Sequence, residues 1–154
     1  MEWMFSVGLR VADENLKESM DHSKLAEALL NSLPVLSSKI AKACDLEASE
    51  LKEILTEVLR FMHLVELSAE RLSPAHKVDL AWHEFILFTK AYADFCILHF
   101  GRFIHHYPGE NEAENKIGFK KLHYYYEKHF GFKPNSKYWG SVLVEIADAS
   151  DCGV

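Results

Sequence analysis

Asp79 and His83 stand four residues apart, and Cys96 and His99 three apart, in a stretch otherwise dominated by aromatic and aliphatic residues. On a helix, either spacing puts both side chains on one face. A carboxylate beside an imidazole orients the ring and favours its charged form, an arrangement found in general bases and behind metal ligands. Two histidines, one cysteine and one aspartate are also a ligand set for zinc or another borderline divalent transition metal. Their spacing matches no recognised zinc pattern, so the four residues become a site only if the fold gathers them. Nucleophilic catalysis is a further possibility, with Cys96 as nucleophile and His83 or His99 as base. That chemistry needs a lowered thiol pKa and a cleft. The glycine motifs that cradle phosphates and dinucleotides are absent.

The elements that must position these groups begin at Ser73-Pro74, which reads as a helix start with serine as N-cap and proline at the first helical position. From there to Tyr107 the one strong breaker is Gly101. A single helix of about 33 residues would run roughly 50 Å. That is too long for a globule of this size, whose radius of gyration is about 15 Å. A hairpin is therefore expected: a helix over 74–88, a turn at Thr89, and a helix over 90–106 ended by Pro108-Gly109. Residues equally far from the turn then face each other, which would gather Asp79, His83, Cys96 and His99.

A packing explanation competes for the same residues. Trp82, Phe85, Thr89, Tyr92, Cys96, His99 and Phe103 follow the alternating three-and-four spacing of an ordinary helix seam. Asp79 and His83 would then only hold Trp82 in place, and Trp82, Tyr92, His105 and His106 would form a polar patch or partner surface. Adjacent helical residues point about 100° apart, so His105 and His106 are poorly placed to chelate one ion together. At a helix C-terminus both would complement the dipole, although one of them could join the cluster.

Around this hairpin, Leu25, Leu29 and Leu33 predict a helix that Pro34 interrupts, and Leu36, Ile40 and Cys44 predict the next, with Cys44 in the core. Ser49 is a plausible N-cap for a third helix. Its apolar stripe runs from Leu51 through Ile54, Leu55, Val58, Phe61 and Met62 to Val65, with Glu57 and Arg60 opposite and His63 exposed. A charged linker over 109–116 leads into a helix carrying Ile117, Phe119, Leu122, Tyr126 and Phe130, closed by Gly131. Spacing over 136–149 favours a last helix. At least one of Tyr124, Tyr125 and Tyr126 must face outward.

Composition narrows the classes further. The 154 residues are 49% hydrophobic and 26% charged, with a formal net charge of −6. That balance suits a single globular domain and disfavours nucleic acid as a partner, since such binding draws on Lys and Arg. Nothing resembles a signal peptide or a membrane span. Three widely spaced cysteines without a C-x-x-C pair point to a reducing cytoplasm.

The combination Asp79-x-x-Trp82-His83, Thr89-x-x-Tyr92, Cys96 and Gly101-Arg102-Phe103-x-His105-His106-x-Pro108 resembles a family. It is similar to the uncharacterised domain of plant glycine-rich domain proteins and their short bacterial relatives. Where the plant relatives tend to show Trp-His-x-His, this chain has Phe85, which puts in doubt a role needing two histidines there. The resemblance implies a fold and no established reaction. The expected protein is all-α, a compact bundle of five or six helices with a central helical hairpin. Residues 1–20 form an N-terminal arm, 21–150 one helical domain with its core motif at 74–109, and 151–154 a tail. Its expected function is that of a non-enzymatic interaction module with a His/Trp/Cys patch and a protein partner. The alternative is a metal-binding protein or small metal-dependent enzyme using Asp79, His83, Cys96 and His99.

Overall fold

The computed structural model describes residues 20–141 and 152–153. The expected arm over 1–20 falls almost wholly outside the described residues, as does most of the expected last helix beyond Ser141. Helix α1 (His22–Ser32) starts where the Asp21 carboxylate accepts from the Lys24 amide at 3.0 Å, and α2 (Pro34–Cys44) carries proline in its first turn. Both follow from side-chain and φ constraints at helix starts. Leu36, Ile40 and Cys44 turn inward as their spacing requires.

Ser49 does not cap the third helix. A capping box between Glu47 and Glu50 opens a short 3-10 turn, Ala48–Glu50, which runs into α3 (Leu51–Leu67). The longer glutamates reach each other's backbone amides, satisfying two orphan donors at once. Helix α3 is the axis of the bundle, packed by α1, α2, α4 (His76–Ile86) and α6 (Glu112–Phe130). Its apolar stripe is buried as expected, but Glu57 and His63 are buried with it. A helix surrounded on several sides has little solvent face left for its polar residues.

The hairpin is present with shifted boundaries. Ser73 and Pro74 are buried ahead of α4, whose first residue is His76, and no side chain caps that end. Ser73 packs instead against Gly118 of α6: a Cβ there would lie 2.5 Å from the serine Oγ and 3.0 Å from its backbone nitrogen. The break falls at Leu87–Phe88, and Thr89 is the first residue of α5 (Thr89–Phe100) rather than its cap. The larger correction is at the far end. The helix expected over 90–106 stops at Phe100, because Gly101 takes a left-handed φ of 73° and its amide bonds the Ile97 carbonyl at 3.1 Å. A residue without Cβ enters that conformation freely and ends the helix. The chain then runs extended to β1 (Tyr107–Pro108).

Asn111 caps α6 through the Glu114 amide at 2.8 Å, and Gly131 ends it at φ 79°. Helix α7 (Ser136–Trp139) is one turn long, and β2 (Cys152–Gly153) pairs antiparallel with β1, Gly153 opposite Tyr107. Among the described residues, the architecture is an all-α bundle of six longer helices and one short one. Among the described residues, no helix is long and apolar enough to cross a membrane.

Candidate metal centre

Helix α4 positions the first two groups. Asp79 and His83 lie one turn apart, with the Asp79 side chain 3% exposed and the His83 ring 40% exposed. Their closest approach, Nε2 to Oδ2, is 3.6 Å. The third group arrives on the extended segment after Gly101. His106 brings its Nε2 to 2.9 Å from Asp79 Oδ1 and 2.7 Å from His83 Nε2. Its ring lies 4.6 Å from that of Trp82 and 4.3 Å from that of His83, centroid to centroid. One donor atom from each of Asp79, His83 and His106 thus falls within a 4.8 Å cluster.

These three groups could hold a cation. A ring nitrogen has one in-plane position, filled by either a hydrogen or a lone pair. Yet His106 Nε2 sits at bonding distance from two partners, a carboxylate oxygen and a second imidazole nitrogen. One hydrogen could serve both only by being shared in a three-centre bond. An ion bound centrally would serve all three donors together. With ligand bonds of about 2.05 Å, tetrahedral donors lie about 3.3 Å apart. The two imidazole nitrogens stand 2.7 Å apart, closer than that, and one donor atom from each of the three residues lies within 4.8 Å of the others. Burial lowers the His83 pKa, Asp79 partly restores it, and His106 lowers it again. The neutral imidazole so favoured is the form that ligates metal.

The expected quartet is therefore not what the fold assembles. Asp79 and His83 meet, but Cys96 and His99 are outside the cluster. Because the helix stops at Phe100, the third position goes to the irregular segment that follows Gly101. His99 is half-buried with its ring 4.4 Å from Phe95, and burial lowers its pKa. Cys96 is fully buried, facing the Ile104 amide and the Tyr92 hydroxyl. Burial raises its thiol pKa, the reverse of what a cysteine nucleophile needs. Trp82 and Tyr92, expected in a surface patch, are wholly buried. His105 and His106 sit beyond the end of α5, so neither complements its dipole; His105 is exposed, with its ring tilted against Phe103 at 4.7 Å between centroids. Gly101 was the available signal for His106, since a left-handed stop there turns the following residues back toward α4.

A second buried carboxylate escaped the sequence reading entirely. Glu57, expected on a solvent face, accepts from Arg60 at 2.7 Å, from the Tyr126 hydroxyl at 2.8 Å and from Trp139 Nε1 at 2.7 Å. It ties α3 to α6 and α7. No curated protein and no solved structure matches the chain. A family model described as UCP032817-like matches residues 22–137, a span that holds the whole Asp79/His83/His106 cluster, and the chain belongs to that family.

Proposed function

We propose that this protein binds a divalent transition metal, zinc or iron(II), through Asp79, His83 and His106. The observation that carries this reading is the position of His106 Nε2, within bonding distance of both another imidazole and a carboxylate. Three protein ligands leave coordination positions for water or substrate, as catalytic zinc sites and two-histidine, one-carboxylate iron sites do. The residues therefore suit a metal-dependent enzyme or a metal-binding accessory protein. Elemental analysis of purified protein tests the assignment. One equivalent of metal is expected, retained by Cys96→Ser and His99→Ala and lost from His83→Ala and His106→Ala. A chain that purifies metal-free and takes up neither zinc nor iron(II) at micromolar concentration overturns it. Because an imidazole must be deprotonated to ligate, affinity is expected to fall in acid.

A second reading, an interaction module with a protein partner, is favoured by the outer face of α5. Ile97 and Leu98 are 58% and 78% exposed there, near Leu87 at 70%. The net charge of −6 argues against nucleic acid as that partner. A reducing, cytoplasmic setting is supported by Cys44 and Cys96, both buried free thiols, with Cys44 pushed up by burial to about 11. Kinship with the plant glycine-rich domain proteins is also proposed, on the Asp79-x-x-Trp82-His83 and Tyr92 pattern.

A further inference from the structure

Asp79 and His83 are fixed by their own helix, whereas His106 sits on a segment with no regular structure between Gly101 and Tyr107. Something must hold that segment against α4. The Tyr92 hydroxyl donates to the Ile104 carbonyl at 2.6 Å and accepts from Trp82 Nε1 at 3.0 Å. Trp82 closes the arrangement by lying against the His106 ring, and Phe103 packs edge-on to Tyr92 at 5.2 Å. Trp82, Tyr92, Cys96 and Ile104 are all essentially inaccessible to water. Bonds made there meet little solvent competition, and a hydroxyl at 2.6 Å is a short, strong contact.

We infer that Trp82 and Tyr92 form a buried clamp on Ile104 that sets where His106 stands, so that Tyr92 is a positioning residue for the metal centre. The inference rests on the metal reading for its function but not for its geometry. It gives the motif one purpose: Asp79 and His83 supply ligands, and Trp82 and Tyr92 hold the third. Groups that orient a ligand typically change metal affinity by about 10- to 100-fold when removed.

Tyr92→Phe keeps the ring and deletes only the hydroxyl, and cobalt(II) titration followed by visible absorption reads its effect. At least a tenfold loss of cobalt affinity is expected, with melting still cooperative. The same substitution in a His106→Gln background, whose amide oxygen leaves a weakened but measurable site, is expected to cost nothing further, because a residue acting through the His106 imidazole has nothing left to position. Equal affinity in Tyr92→Phe and the unaltered protein overturns the clamp, as does an equal loss in both backgrounds. If the unaltered protein takes up no cobalt, the metal reading fails and the clamp is judged by imidazole ¹⁵N shifts instead. In Tyr92→Phe the His106 Nε2 signal should move while that of His99 stays, and an unmoved His106 signal overturns it.

Discussion

Two buried carboxylates, Glu57 and Asp79, show how a structural tie differs from a site. Each comes from a helix, each is nearly inaccessible to water and each lies among aromatic rings. Around Glu57 the partners are an arginine, a phenol and an indole, all carrying hydrogens to donate. Donors meet acceptors, and burial pushes the Tyr126 hydroxyl pKa up, so it keeps its proton for that bond. Around Asp79 the partners are two imidazoles whose nitrogens also confront each other. A second histidine pair sharpens the contrast. His22 Nε2 meets His63 Nδ1 at 2.9 Å, a contact that one donor and one acceptor satisfy. Burial, then the neighbouring His63, Arg60 and His129, lower the His22 pKa to about 3. The lesson is that hydrogens must be counted on both sides of a buried carboxylate.

Substitutions can break this comparison. Glu57→Gln should have the largest effect on folding, about 3 kcal/mol or more, because it leaves Arg60 facing an amide in place of a charge. Denaturant unfolding measures this, and a loss below 1 kcal/mol (estimated on the same scale) would end the reading of Glu57 as a tie. Acid should come next. His22 is held neutral in the fold, so its contribution is fully present above about pH 6.5 and is lost as pH falls toward 3. The steepest expected slope is about 1.4 kcal/mol per pH unit for that one group, and it should vanish in His22→Phe. Tyr126→Phe removes the phenol from both Glu57 and Arg60. A cost of about 1–2 kcal/mol in melting or denaturation is expected, with metal content unchanged. Smallest on metal-free stability should be His83→Ala, within about 1 kcal/mol for a ring with so much exposure. The same variant should abolish the zinc-induced rise in melting temperature. If it destabilises the metal-free protein as strongly as Glu57→Gln, the contrast between the two carboxylates collapses.

Much of the frame was legible because helix signals are local. Pro34 and Gly131 mark boundaries, and the leucine spacing around Leu36 and Ile40 states which face is buried. The Asp79–His83 pair was legible for the same reason, being one turn of one helix. His106 was not, because its place depends on a reversal at Gly101 and on the Tyr92–Ile104 bond, both features of tertiary packing. Extending α5 through residue 106 pointed Cys96 and His99 at α4 instead. Glu57 and His63 were misread because periodicity assigns polar residues to solvent. It contains no information about a phenol or an indole arriving from more than sixty residues away in the chain.

Gly118 carries a consequence for reading other chains. Helix α6 reaches the body at a position where even a methyl group would collide with Ser73. A chain with the same aspartate, tryptophan and histidine spacing but valine at that place could not seat α6 in this way. Its tyrosine would then stop short of the buried glutamate. One letter, far from either carboxylate, distinguishes sequences able to adopt this packing from those that only share its motif.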